Sequence, residues 1–288
     1  HILQTPYWNM CKGGIHETLE QHFAHYVNSK HAIAVSSGGM AIQLSLRALG
    51  FVPGDEIIHQ VDTCCAVPFS ILNAGTTPIF SDIDPVTFML NETDLRARIT
   101  PQTKAIMPTH MWGNTENMDM IHSIATEHNL TIIEDACLSL GAHYNKKPVG
   151  TQGKVGVFSF GRLKPIQTGE GGMIVTDDDA LAKELRSLRH YGDKTAEYGI
   201  RDNPTLSWNG RLSEILAAVA LEQLKGYPKH LNIIHDNICY FSNQLTSIDG
   251  LDLHYTGESI TDSVYTQVTL NVNPSLFPLS KSELMSLL

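Results

Sequence analysis

The sequence has no cysteines paired two residues apart, no glycine-rich nucleotide fingerprint, no basic cluster and no run apolar enough to span a bilayer. Each absence removes a class of function. The five cysteines, Cys11, Cys64, Cys65, Cys137 and Cys239, are odd in number and lack zinc-ligand spacing. They read as reduced thiols of a cytoplasmic protein rather than as a disulfide framework or a zinc site. Cys64 and Cys65 read as two buried thiols and not as a redox pair. The chain contains neither G-x-G-x-x-G nor G-x-x-x-x-G-K-[ST], which weakens dinucleotide and nucleoside-triphosphate readings. A formal net charge of −10 without basic clusters argues against nucleic acid and anionic membrane as partners. It does not exclude phosphate, because local backbone N–H groups outweigh global charge at short range. Neither a signal peptide nor a membrane-spanning stretch is expected, and no internal repeat stands out. His22 and His25 lie one helical turn apart near His31 but lack cysteine or acidic partners at ligand spacing, so no metal is expected. The first residue is His1 and the last three, Ser286-Leu287-Leu288, fall inside a helical pattern; residues are therefore expected to be missing at both ends.

What is present is an α/β pattern. The sequence is 42% hydrophobic over 288 residues, enough for a sizeable core. Short β-branched runs predict strands over His31–Ser36, Asp55–Gln60, Thr77–Ile83, Lys104–Thr109, Leu130–Asp135, Val155–Phe160 and Gly172–Thr176. Helical spacing predicts helices over Gly39–Leu49, Ala66–Ala74, Glu92–Ile99, Met118–Asn129, Asp179–His190, Leu212–Leu224 and Leu231–Ser247. Leu212–Leu224, with Ile215, Leu216 and Val219, forms an apolar stripe that reads as helix core. The alternation implies a three-layer αβα domain with a seven-stranded, mostly parallel sheet. The last two of those strands are joined by the loop Gly161–Gly171 rather than by a helix. Residues 1–225 are expected to form this large domain. From 226 to 288 the pattern changes to a long helix and two strand-like segments, Leu251–Tyr255 and Tyr265–Val272, the start of a small second domain.

Three constellations carry chemistry. Ser36-Ser37-Gly38-Gly39 follows a strand and opens a helix, where free N–H groups make an anion site; a plain strand-to-helix turn is the other reading. Glu134-Asp135 ends an apolar strand, and ligand crevices of open α/β sheets lie at such carboxyl ends. A carboxylate there can pair with a protonated pyridine nitrogen, or it can simply cap a helix. Ser159 and Lys164 then lie in or beside a loop closed by Gly169-Glu170-Gly171-Gly172. A buried lysine can form a Schiff base, whereas an isolated loop lysine is solvated.

Taken in order, these features resemble the fold-type I pyridoxal-phosphate enzymes, and more narrowly the DegT/StrS family of sugar aminotransferases. The resemblance runs from about Gly14 to the end. It is carried by Ala48-Leu49-Gly50 with Pro53-Gly54-Asp55-Glu56, by Thr77-Pro78-Ile79-Phe80 with Asp82-Ile83-Asp84, and by Ile133-Glu134-Asp135-Ala136. Gly156-Val157-Phe158-Ser159-Phe160, Lys164, Gly169–Gly172 and Asn209-x-Arg211-x-Ser213-Glu214 complete it.

The resemblance implies pyridoxal 5'-phosphate as cofactor, held on Lys164 as a Schiff base, with Asp135 on the pyridinium nitrogen. It implies that Ser159 and the Ser37, Gly38 and Gly39 backbone hold the phosphate. It also implies that Asn209 reaches the phosphate of a neighbouring subunit in a homodimer. Arg211 either shapes its loop or contacts substrate, and His110 either lies near the site or is a satisfied buried histidine. The activity implied is transfer of an amine from an amino acid, by resemblance glutamate, to a keto-sugar, by resemblance nucleotide-linked.

Three positions depart from the family. Gly39 stands where a threonine is usual, Cys64 where an aromatic stacks on the ring, and Leu138 where a glutamine is usual. Each lost hydrogen bond is worth about 1 kcal/mol, and the lost stack at least as much. Weaker cofactor binding, or compensation by Ser36, Ser37 or Thr63, is expected. Two rivals remain at this point. One is a sugar dehydratase on the same scaffold, whose members carry histidine in place of the lysine. The other is a non-catalytic cofactor-binding or regulatory relative.

Overall fold

The structure, a computed structural model, describes residues 14–194, 205–255, 259–273, 275–276 and 279–287. Helix α1 (Ile15–Val27) leads into β1 (His31–Val35), α2 (Gly38–Ala48), β2 (Glu56–Gln60), α3 (Ala66–Asn73) and β3 (Thr77–Ser81). There follow α4 (Glu92–Arg98), β4 (Thr103–Met107), α5 (Met118–His128) and β5 (Thr131–Asp135). A two-residue-armed hairpin, β6 (His143–Tyr144) and β7 (Lys147–Pro148), precedes β8 (Val155–Ser159), β9 (Gly172–Thr176) and α6 (Asp179–Arg189). Last come α7 (Glu214–Leu245), β10 (Leu251–Leu253), β11 (Leu270–Val272) and α8 (Lys281–Leu287). Side chains of Ser37, Asn91, Asn117, Asp178 and Ser213 accept the free first-turn N–H groups of α2, α4, α5, α6 and α7.

Seven strands form one sheet in the order β1-β9-β8-β5-β4-β2-β3. All neighbours are parallel except the two pairs that β9 makes with β8 and β1. The reversal of β9 follows from its connection. A loop without a helix returns the chain directly beside β8, and that makes an antiparallel pair. Strand alternation then fills both faces. Ile33, Val35, Ile133, Val155, Val157 and Ile174 pack with α2, α3 and α6. On the other face Ala32, Ala34, Phe158, Met173 and Val175 pack with Leu19, Phe23 and Val27 of α1 and Ala217, Leu221 and Leu224 of α7. Strands buried on both faces, with helices outside, make the three-layer αβα sandwich.

Several expectations need correction. The two helices expected over 212–224 and 231–247 are one helix of 32 residues, with Pro228 inside it. Proline removes a helix hydrogen bond, but Leu224, Tyr227 and Leu231 are buried around it and the Tyr227 hydroxyl donates to the Leu140 carbonyl. Tertiary packing holds the helix across that point, so α7 crosses the 225/226 boundary without a break. Of the expected stripe, Leu212 and Leu224 are buried and Leu216 packs against the core, but Ile215 and Val219 are each 40% exposed; Ala217, Ala220 and Leu221 complete the buried face of α7. Cys64 and Cys65 are exposed free thiols, because they lie on the turn that leads from β2 into α3, outside the packed sheet. Of the last strand expected, only Leu270–Val272 pairs, with β10. Helix α1 was not legible as an element, and Cys11 lies outside the described residues.

Candidate functional site

The carboxyl ends of β1, β2, β4, β5 and β8 share one edge of the sheet, since all five run the same way. Registers bring their last residues into line. Val35 and Ser159 both pair with Gly172, Asp135 pairs with Val157, and Thr109 bridges to Asp135. Residues 36–39, 135–138, 159–164 and 109–110, far apart in sequence, therefore meet at one crevice edge.

At that edge the start of α2 is a cup. Gly38 sits so close to β8 that a Cβ there would lie 2.9 Å from Ser159 Cβ, 3.3 Å from its hydroxyl and 3.2 Å from Cys137 Sγ. Gly172 is equally tight: a Cβ would meet the Ser37 carbonyl at 2.7 Å. Only glycine lets these backbones approach. The Ser37 hydroxyl accepts the Met40 N–H, whereas the N–H groups of Gly38 and Gly39 precede the first possible helix acceptor and stay free. Free amides, the helix N-terminus and the Ser159 hydroxyl are donors that suit a phosphate. Two of the candidates, Ser37 and Ser159, already hold local N–H groups, Ser159 that of Gly161 at 3.2 Å, which fixes their oxygens.

Asp135 closes β5 beside the cup. Its carboxylate accepts the Cys137 N–H at 3.1 Å and the Thr109 hydroxyl at 3.4 Å. Thr109 is itself held by both ends of the Gln60 amide, at 2.9 and 3.0 Å, and by the Thr63 hydroxyl at 3.1 Å. Sequence reasoning did not find Thr109 or Gln60. The available signal was their place at the carboxyl ends of predicted strands, Asp55–Gln60 and Lys104–Thr109, where ligand crevices lie. The Cys137 thiol reports what surrounds it. Burial pushes it well up, the Asp135 carboxylate adds to that, and the Lys164 ammonium acts the other way while Cys64 lies within range too. Asp135, Lys164 and Cys64 thus all lie near enough to the Cys137 thiol to act on it electrostatically. Lys164 is half-buried and follows Leu163, which holds a left-handed φ of 62°; a branched residue there stores strain beside the lysine. Lys164 also borders a cleft of about 210 Å³ shared with Tyr227, His230, Tyr265 and Thr266.

The remaining candidates separate. His110 is fully buried: one ring nitrogen meets Glu134 at 3.1 Å and the other accepts the Glu116 N–H at 3.1 Å. With both nitrogens engaged it has no atom left for a substrate, and it braces the strand ends. Arg211 lies over the Tyr191 ring, 5.3 Å from its centre, and its guanidinium bonds His190 Nδ1. That arrangement favours the loop-shaping role. Asn209 is exposed and forms an antiparallel bridge with His190. Leu138 is half-buried, and its carbonyl accepts the Thr266 hydroxyl. Thr63 spends its hydroxyl on Thr109 rather than on the cup.

A larger cleft of about 670 Å³ is bordered by Asp84, Glu92, Glu116, Asp119 and Tyr144. Its carboxylates oppose a phosphorylated ligand, and it does not include the strand-end residues. Among the described residues no group of His, Cys, Asp or Glu could hold a metal ion, and no helix is long and apolar enough to cross a membrane.

Comparison with known proteins agrees with this geometry. The sequence profile of the DegT/DnrJ/EryC1/StrS aminotransferase family matches residues 1–288. A protein of Caulobacter vibrioides named GDP-perosamine synthase is 44% identical over 225 residues, covering 78% of this chain and 60% of its own. The chain thus spans about three fifths of that curated relative's length. Among solved structures, DesV of S. venezuelae superposes with a TM-score of 0.87 at 32% identity, covering 99% of this chain and 74% of that one. The E. coli GDP-4-keto-6-deoxy-D-mannose-3-dehydratase, solved with bound hydrated PLP, superposes with 0.85 at 29% identity, covering 96% and 75%.

Proposed function

The chain belongs to the DegT/DnrJ/EryC1/StrS aminotransferase family, and on that premise we propose that it is a pyridoxal-phosphate-dependent sugar aminotransferase. It takes the amine of an amino acid, glutamate by family resemblance, and gives it to a ketone on a nucleotide-linked sugar. The observation that supports this most is Asp135 at the end of β5, held by the Thr109 hydroxyl and the Cys137 N–H, beside the close approach of Gly38 to Ser159 and Cys137.

The residues present fit the cofactor. Free amides of Gly38 and Gly39 with the Ser159 hydroxyl would hold its phosphate, Asp135 its ring nitrogen, and Lys164 its carbonyl carbon. When bound, the cofactor supplies an electron sink at the amine-bearing carbon. The chain supplies the rest. Asp135, oriented by Thr109 and the Cys137 N–H, keeps a proton on the ring nitrogen. The Lys164 amine takes a proton from the donor carbon and returns one, a step that general acid–base groups accelerate by about 10²- to 10⁴-fold. Cys64, exposed at the edge of α3, lies where the resemblance expects ring stacking, and it supplies less apolar area than an aromatic.

The dehydratase neighbour supports a second reading on the same scaffold. The resemblance assigns histidine to the lysine position of such enzymes, so Lys164 favours amino transfer. A homodimer is part of the proposal: Asn209 and the apolar Ile215 and Val219 are exposed, as an interface with a second copy would require. Residues beyond 225 are proposed to begin a substrate-facing small domain. The free thiols Cys64, Cys65, Cys137 and Cys239 suit a reducing cytoplasm. The test is isotope transfer. With ¹⁵N-labelled L-glutamate and a GDP-linked 4-keto-6-deoxy sugar, mass spectrometry should find the label in an amino-sugar. Loss of a sugar hydroxyl without label uptake would support the dehydratase reading and overturn this one.

A further inference from the structure

We propose that Ser70, on α3, is a phosphate-binding residue whose hydroxyl completes the cup at the start of α2, in the space that the bare Gly39 leaves. The proposal rests on the cofactor reading above and deepens it.

Ser70 is only 3% exposed, and among the described residues no hydrogen-bond partner reaches its hydroxyl. That is unusual for a helical serine, which ordinarily bonds the carbonyl one turn back. Ser45 does so in the neighbouring helix, donating to the Ala41 carbonyl at 2.7 Å. Ser70 does not, although Ala66 offers the equivalent acceptor in α3. Its oxygen is not among the fully enclosed polar atoms that lack a partner, so it keeps contact with solvent, and a ligand entering at the start of α2 can supply its hydrogen-bond partner.

Its direction identifies the ligand. The Ser70 oxygen lies 3.1 Å from the position a Cβ would take on Gly39, and the Ser37 oxygen lies 3.9 Å from the same point. Two hydroxyls thus flank the first turn of α2, where the Gly38 and Gly39 amides are free. Ser159 closes the cup from β8 through its contact with Gly38. Donors converging on a helix N-terminus suit a phosphate monoester, whose three terminal oxygens each take more than one hydrogen bond. The sequence-level departure at Gly39 then has a compensation built from a different helix. A side chain at position 39 and the present setting of the Ser70 hydroxyl therefore compete for the same space. A threonine at 39 brings its Cβ into the Ser70 oxygen, at a separation tighter than ordinary van der Waals contact.

The experiment is a titration of the intact protein with pyridoxal phosphate and, separately, with pyridoxal, which lacks the phosphate. Wild type is compared with Ser70→Ala, Gly39→Thr and the double variant, with thermal melts to confirm folding. Ser70→Ala is expected to weaken pyridoxal phosphate about tenfold, the size of one hydrogen bond to a charged group, and to leave pyridoxal unchanged. Gly39→Thr is expected to weaken pyridoxal phosphate alone, and Ser70→Ala is expected to relieve that loss in the double variant. Equal weakening of both ligands by Ser70→Ala, or wild-type affinity for pyridoxal phosphate in that variant, overturns the assignment. A folded wild type that binds neither ligand overturns the proposed function, and the Ser70 assignment with it.

Discussion

Glu134 and Asp135 are adjacent on β5 and face opposite sides of it. Glu134 is fully buried, accepts the N–H groups of Gly150, Gln152 and Gly153 at 2.7, 2.6 and 2.5 Å, and pairs with His110 at 3.1 Å. Asp135 turns to the crevice, with Thr109 and the Cys137 N–H on its carboxylate. Side chains alternate along a strand, so two neighbouring acids serve two purposes, one holding the turn at 150–153 and one facing the ligand.

Glu134→Ala should therefore destabilise the protein by about 3–5 kcal/mol, because it leaves buried N–H groups and His110 without their acceptor. Denaturant unfolding measures this. A change below about 1 kcal/mol, the scale of a surface substitution, would contradict the bracing role of the Glu134–His110 pair.

Asp135→Asn should do the reverse. The amide retains the shape and most local hydrogen bonds, so stability should change little, within about 1 kcal/mol. The transamination rate should fall by about 10²-fold or more, as the ring nitrogen loses its counter-charge. Steady-state rates beside a thermal melt separate the two effects.

Much of this was legible in the sequence, for reasons that can be named. Most strands of the sheet appear as short apolar runs because both faces are buried, and that pattern is local; the edge strand β3, with Thr77 and Phe80 exposed, is the exception. The Glu134-Asp135 pair was visible as an acidic strand end, but which acid faces the ligand depends on register. His110 could not be assigned from sequence, since its two partners lie 24 and 6 residues away. The break expected near Pro228 failed because local propensity there is overruled by burial of Leu224, Tyr227 and Leu231. Cys64 and Cys65 look like core residues in composition, and only the turn into α3 exposes them.

Gly38→Ala tests the cup. Its Cβ would force Ser159 aside, from 2.9 Å, and overpacking of this kind costs about 1–3 kcal/mol. Cofactor affinity should fall more than stability does, measured by titration in the folded variant. Unaltered affinity would show that Ser159 and Gly38 do not share a phosphate.

Stability should also depend on pH through Glu116, which no chemistry uses. Burial raises its carboxyl from 4.5 to about 8, opposed in part by the Leu90 N–H. Between those values the folded chain binds a proton that the unfolded chain has released. The stabilising contribution is thus present below about pH 4.5 and is lost as pH rises through about 8. The full change approaches about 5 kcal/mol. Glu116→Gln, neutral throughout, should flatten that part of the stability–pH curve, and an unaltered slope would contradict the burial argument.

The most direct test of the central claim is the visible absorbance of the intact protein with pyridoxal phosphate, before and after L-glutamate. A yellow Lys164-bound form should appear and bleach when glutamate is added, with no such band in a folded Lys164→Ala variant. A folded wild type that stays colourless, or a Lys164→Ala variant that transfers the amine at the wild-type rate, would contradict it.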